Sequence, residues 1–382
     1  MKGVIIIEGH VQGLSNARAL GELGIPVWVI DTGKCLAQYS KFCHFFLKCP
    51  DYASDEFVPF LEQIAIKHDL EGWLLLPSND HAVFSISTHR EKLAHHYQLI
   101  TDEIHTINKI YNKSELLNLA IALKIPVPSF EQLEHPHSPA NLTFPILTKG
   151  NNGLNFYKKM KRKVIVSLNS AELLRNLNAI QDRISLSETF TQELIPYYKK
   201  NKTISFTAFS VKGIIKTYWI GQKLREHPLR FGTATMAESI SDPGVLIYGS
   251  QLLKVLNYTG ICEIEFLKDE RDQQYKLIEM NARSWLWVDL AKECGVNYAK
   301  IAYDYSQSNP INFPNNYKIN VVWYNPVTNF FFTIKGLFLG KIAISEICKN
   351  RGKVKVNALF KKNDTKPFWL YFLLAPKFLQ KR

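Results

Sequence analysis

The sequence predicts an α/β protein of two to three domains: a doubly wound parallel sheet first, then an α+β region of antiparallel hairpins, then a basic, aromatic C-terminal extension. Three observations carry this. The chain opens in the order strand, loop, helix, strand, as a βαβ unit does. Its middle contains paired runs that alternate with period two. Its 382 residues exceed what one average hydrophobic core organises. With 46% hydrophobic and 21% charged residues and no low-complexity tract or repeat, the chain is expected to fold throughout.

The opening strand is Gly3-Val4-Ile5-Ile6-Ile7, followed by a loop from Glu8 to Gly13, a helical period from Leu14 to Gly21, and a strand from Ile25 to Asp31. Gly9, Gly13 and Gly21 do not make the GxGxxG spacing of a dinucleotide fold, and a substrate-side anion pocket is the more modest functional reading of the loop, beside that of an ordinary connection. A helix over 55–68 and a strand over 72–77 complete a domain of residues 1–110. The apolar start does not resemble a secretory leader, and the six cysteines form no CxxC pair and no Cys/His cluster with zinc spacing. A cytoplasmic protein with free thiols is expected.

A second region, residues 111–315, begins with a helix from Lys113 to Leu123 that Pro126 and Pro128 stop. Strands over 144–149 and 163–166 flank a basic loop, a helix follows from Ser170 to Asn178, and further strands are expected at 189–195, 203–211 and 214–220. The most informative segment is Gly260-Ile261-Cys262-Glu263-Ile264-Glu265-Phe266, a polar turn, and Tyr275-Lys276-Leu277-Ile278-Glu279-Met280-Asn281-Ala282-Arg283. Alternation puts Glu265 on one face of its strand and Glu279 with Asn281 on one face of the partner, so a hairpin brings three oxygen donors together. Such a set suits Mg²⁺ that keeps waters and binds phosphates, and Mn²⁺ takes the same donors. Arg283, one alternation further, is placed to hold a transferring phosphoryl oxygen.

This segment resembles the metal-binding hairpin of the ATP-grasp ligases, in which a Glu on one strand is followed by a strand reading Glu-x-Asn-x-Arg, as in biotin carboxylase and carbamoyl phosphate synthetase. The resemblance implies an ATP-grasp fold over residues 1 to about 310, with Glu265, Glu279 and Asn281 on the metal and Arg283 at the reacting phosphate. It identifies Asn112-Lys113 with the opening of the ATP-binding region, Lys149 with the strand-end lysine that reaches phosphates, and Gln192-Glu193-Leu194-Ile195 with the strand against the adenine. Gly150-Asn151-Asn152-Gly153-Leu154, the expected phosphate lid, has two glycines, and Ala282 stands where the family often has Pro. Residues 14–21, 77–80 and 265–269 are similar to the bacterial carboxylate-amine ligase group that contains the peptidoglycan D-aspartate ligase. The implied activity is ATP-dependent: a carboxylate becomes an acyl phosphate and is joined to an amine. Substrate identity does not follow from the resemblance; small-molecule and lipid-linked carboxylates and amines, in envelope or polysaccharide precursor modification, are the candidates. Arg225 and Arg230 are candidates to grip the acyl phosphate or the substrate carboxylate.

The formal charge of +13 is concentrated in the extension, residues 316–382: from Ile334 onward twelve Lys or Arg face two acids, Glu346 and Asp364. Asn329 to Phe332 and Pro367 to Leu374 add aromatic and apolar runs too short to span a bilayer. A contact with an anionic membrane, on the inner face of the plasma membrane, competes with packing onto the ligase body. A basic nucleic-acid-binding protein is the rival class, and it lacks a recognisable motif. An inactive ATP-binding scaffold is a third, disfavoured because the metal donors and Arg283 are all present.

Overall fold

The computed structural model describes residues 1–196, 203–227, 232–338 and 353–380. Arg230, Cys348 and residues 339–352 of the basic stretch lie outside the described residues; the five described cysteines are free.

The first sheet is parallel throughout. It comprises β1 (Val4–Ile7), β2 (Val27–Asp31), β3 (Phe45–Lys48), β4 (Trp73–Pro77) and β5 (Tyr97–Leu99), in the order β3-β2-β1-β4-β5. Val4 and Ile6 enter one core and Ile5 and Ile7 another, which is why β1 is apolar at every position rather than alternating. The helix Val11–Gly21 starts directly after the loop because Gly13 has no side chain: a Cβ there would lie 2.1 Å from the Glu8 carbonyl oxygen. Chain order reverses between β1 and β4, which opens a crevice at their carboxyl ends. Glu8 closes β1 there, and Ser78-Asn79-Asp80 closes β4.

A four-stranded antiparallel sheet follows: β6 (Phe130–Gln132), β7 (Ile146–Gly150), β8 (Ile165–Ser167) and β9 (Thr189–Glu193), in the order β6-β9-β7-β8. The segment expected as a basic loop between β7 and β8 instead holds the helix Gly153–Met160. Asn152 caps it, accepting from the amides of Leu154 and Asn155 at 3.0 Å, and Phe156 is fully buried under it. Lys158 and Lys159 occupy its last turn, where positive charge complements the helix dipole, and Lys161 ends it in the left-handed conformation. The lysines that suggested a loop are a helix C-terminus.

The largest sheet has seven strands: β10 (Thr203–Val211), β11 (Ile214–His227), β12 (Thr233–Ser239), β13 (Gly260–Lys268), β14 (Tyr275–Asn281), β15 (Val322–Tyr324) and β16 (Lys355–Asn357), ordered β14-β13-β10-β11-β12-β15-β16. One face packs on the helices Ile104–Tyr111, Lys113–Ala122 and Pro243–Leu256; the other joins the first domain in one core around Trp219, Trp285, Trp287 and Trp323. The C-terminal extension is built into this sheet rather than appended to it, since β15 pairs with β12 and β16 runs parallel to β15. Tyr371 and Phe368 pack into the same core. Asp364 meets Arg18 of the first helix in a salt bridge of 2.8 Å whose side chains are both 1% exposed.

Candidate active site

A cavity of about 480 Å³ lies where the three sheets meet. Its walls come from the ends of β1 and β4, from β7 and β9, and from β11, β13 and β14. Of the residues singled out in the sequence, Lys113, Lys149, Gln192, Ile195, Glu265, Glu279, Asn281 and Arg283 line it.

Register explains why the hairpin acids converge. Glu265 is paired with Glu279 and Glu263 with Asn281 across β13 and β14, so their side chains share one face. Each of the two expected metal carboxylates carries a lysine. Lys223 on β11 donates to both oxygens of Glu265 at 2.7 and 2.8 Å, and Lys113 donates to Glu279 at 2.7 Å. The Lys113 ammonium holds Glu279 well below the usual carboxylate range, against the upward push of burial. Burial is the largest influence on Lys113 and Lys223 and would lower both, but the surrounding carboxylates together, Glu279 foremost at Lys113 and Glu265 foremost at Lys223, hold both raised. Glu263 accepts from Ser205 Oγ at 2.8 Å and Asn281 Nδ2 at 3.1 Å, and is pushed up by burial and then by its neighbour Glu265. Two carboxylates and the Asn281 amide oxygen on adjacent ladder positions fit a hard divalent cation that keeps water and phosphate ligands. Among the described residues no group of three or more His, Cys, Asp or Glu is placed to hold a metal ion.

Lys149 projects from the end of β7, and its Nζ donates to Gln192 Oε1 at 3.3 Å. Desolvation first, and the like charge of Lys113 second, pull its ammonium down to about 8. Leu147, Leu194, Ile195 and Ile278 give this end of the cavity an apolar lining, suited to a planar base. The backbone amide of Lys113 donates to the Asn151 carbonyl at 3.0 Å, which ties the start of the helix Lys113–Ala122 to the four-stranded sheet.

Three expected residues are placed differently. Glu193 is next to Gln192, so alternation turns it away from the cavity; it accepts from Arg271 at 3.1 Å and from the Ser129 amide at 3.1 Å. Arg225 is not among the lining residues, and its Nη1 donates to Thr333 Oγ1 at 3.0 Å and Asn329 Oδ1 at 3.4 Å. Register shifts on both sides of Arg225 break the alternation of β11 and separate it from Lys223. Arg283 lines the cavity but its guanidinium is forked onto Asp80, at 2.6 and 3.0 Å. In the loop after β1 the Gly9 amide donates to Asp31 Oδ2 at 2.8 Å, and Glu8, His10 and Gln12 line the cavity.

Lys223, Asp80 and Glu8 were not recognised as site residues in the sequence. Asp80 had a signal, being the last residue of the Pro-Ser-Asn-Asp strand end. Lys223 had none, because a bulge cannot be read from alternation, and Glu8 had none, because it joins the site from a separate sheet.

The family model for the carbamoyl-phosphate synthase L chain ATP binding domain matches residues 247–303, the stretch that holds the hairpin. The D-aspartate ligase of Enterococcus faecium (strain Aus0004) is 22% identical over 223 residues, 55% of this chain and 53% of that protein. The chain thus spans about half the length of the curated relative it matches. Among solved structures, N5-carboxyaminoimidazole synthetase from Staphylococcus aureus superposes with a TM-score of 0.65 at 15% identity, covering 89% of this chain and 87% of that one. Biotin carboxylase from Campylobacter jejuni gives 0.65 at 14% identity, over 84% and 74%. L-amino acid ligase from Bacillus licheniformis gives 0.59 at 14% identity, over 79% and 73%.

Proposed function

We propose that this chain, whose fold is that of the ATP-grasp ligases, uses MgATP to convert a carboxylate into an acyl phosphate and joins it to an amine. The observation that carries the reading is the meeting of Lys113, Lys149 and Lys223 with Glu265, Glu279 and Asn281 in one cavity with an apolar end. The base lies between Leu147 and Ile195, along β9. Lys113 and Lys149 bind the phosphates, and the substrate carboxylate attacks the γ-phosphorus, releasing ADP. Glu265, Glu279 and Asn281 would hold Mg²⁺ or Mn²⁺, which supplies charge neutralisation at the phosphate oxygens when bound. Positioning and neutralisation account for most of the acceleration in such transfers.

The test is a panel of amino acids, sugar acids and peptides assayed for carboxylate-dependent release of phosphate from ATP. One carboxylate class should stimulate ADP, phosphate and amide formation in equal amounts. If no carboxylate stimulates ATP cleavage while a labelled oligonucleotide binds at physiological salt, the ligase reading fails in favour of the basic nucleic-acid reading.

Lys149 makes a second test. Its free ammonium titrates near 8, and phosphate binding favours the charged form, so affinity for an ATP analogue should be pH-independent below that value and fall as pH rises through it. In Lys149→Met, calorimetry should show weaker binding without this slope. A slope that persists in the variant assigns it to another group.

The finer reading places the enzyme at an anionic membrane surface, acting on a lipid-linked or envelope-precursor substrate. Phe330, Phe331, Ile334 and Phe338 are exposed on the helix Pro326–Phe338. On the helix Lys366–Gln380, Phe368 and Tyr371 face the core while Trp369, Phe372 and Leu373 are exposed at helical spacing. No described helix is long and apolar enough to cross a membrane. The lysine-rich sequence around these stripes supports an interfacial contact, at about 1 kcal/mol per cation near the surface. Co-sedimentation should show binding to phosphatidylglycerol vesicles at low salt, little binding to phosphatidylcholine, and loss in Phe338→Ser/Trp369→Ser. If that variant instead changes oligomeric state and leaves vesicle binding intact, the stripes cover a second copy of the chain.

A further inference from the structure

Of the acids around the cavity, Glu263 is held by the neutral Ser205 and Asn281 within the large sheet. Glu265, Glu279 and Asp80 are each ion-paired, to Lys223, Lys113 and Arg283. Glu8, which enters from the first sheet, is not ion-paired: its Oε2 accepts from Gln12 Nε2 at 3.0 Å and its Oε1 from Asn79 Nδ2 at 3.1 Å, both neutral amides, and no cation among the described residues bridges to it. A carboxylate has acceptor capacity for about four such bonds, so half of it remains for a ligand. Its backbone is in the left-handed region at φ 73°, a conformation that favours glycine, and the side chain is nonetheless held at the crevice where β1 and β4 diverge. Two fixed amides aim the carboxylate: Gln12 is anchored by the Ser78 carbonyl at 3.1 Å, and Asn79 by capping the helix Asp80–Thr88. Trp285, whose indole N–H is buried without an acceptor, lines the same cavity.

Resting on the ligase reading above, we infer that this crevice is the subsite for the protonated amine of the acceptor, with Glu8 as its anchor and its proton acceptor. An ammonium ion donates to the unused lone pairs of Glu8 and supplies the missing counter-charge. It then passes one proton to the carboxylate. The freed nitrogen lone pair forms the C–N bond at the acyl carbon, and the C–O bond to phosphate breaks. Phosphate leaves with that electron pair and takes up the second nitrogen proton. Burial pushes the Glu8 carboxyl up to about 7, against the pull of Arg283 and the Asn79 hydrogen bond, which makes it a stronger base than an exposed glutamate.

The experiment compares two kinds of nucleophile across the carboxylate panel, using the full chain. Hydroxylamine, largely uncharged at neutral pH, needs neither a counter-charge nor a base; alaninamide, lysine and ethanolamine arrive protonated. Glu8→Gln keeps the shape and both amide neighbours. It should lower amide formation about a hundredfold while leaving hydroxamate formation within about twofold of wild type. Glu8→Asp, which keeps the charge, should recover part of the amide activity. Equal loss of both products in Glu8→Gln, or retention of both, overturns the amine subsite while leaving the ligase reading intact. Hydroxamate without any amide in wild type also overturns it. A wild-type chain that makes neither product removes the ligase reading, and the subsite with it.

Discussion

Glu279→Gln is expected to bring ATP-dependent phosphate release down by at least about a hundredfold, on the scale of the several kcal/mol that metal-centred charge stabilisation supplies. The substitution is nearly isosteric and removes one negative charge from a cross-strand pair with Glu265. It also leaves Lys113 without its partner at 2.7 Å. That pair is partly open to solvent, with side chains 26% and 30% exposed, so the stability cost should be about 1 kcal/mol or less and the variant should fold. The decisive measurement is Mg²⁺-dependent phosphate release at saturating ATP, beside a denaturation curve. Near-normal turnover in a folded variant would remove Glu279 from the metal set and leave it as a counter-ion for Lys113.

Arg18→Met should have the largest effect on stability. Arg18 donates from Nε to Asp364 Oδ2 at 2.8 Å and from Nη2 to the Leu359 and Asp364 carbonyls at 2.9 and 2.8 Å. Asp364 also accepts from Ser40 Oγ at 2.7 Å and the Lys41 amide at 2.9 Å. Methionine fills part of the volume but leaves a carboxylate that is out of contact with water, and breaking such a pair costs about 3–5 kcal/mol. The expected result is a lower denaturation midpoint, with the double variant Arg18→Met/Asp364→Asn less destabilised than the sum of the singles. Additive losses would mean that the two residues act independently. The same bond means that deleting the chain from Asp364 onward removes a structural tie between the first helix and the central sheet. Membrane binding is therefore better tested by substituting Phe338 and Trp369.

The sequence by itself determined whatever depends on periodicity and local chemistry. The all-apolar run at Val4–Ile7 specified a strand buried on both faces, and Pro126 marked the end of a helix. The alternation through Glu265, Glu279 and Asn281 specified a shared face, because side-chain direction along a strand follows from backbone geometry alone. The same chemistry pointed to an oxygen-rich site and to Lys113 and Lys149 beside it. Tertiary structure decided what depends on distance in space. It settled which cation faces each acid, since Lys223 meets Glu265 from a strand 42 positions away and Asp80 meets Arg283 across 203. It turned Arg225 toward the helix Pro326–Phe338 through two register shifts that alternation cannot anticipate, and it folded Gly153–Met160 as a helix over Phe156, where composition suggested a loop. The extension shows the division most clearly: its charge and aromatic content were legible, but whether Tyr371 or Trp369 faced the core was not. A helix that is apolar on two sides has no single preferred face until a neighbouring surface covers one of them.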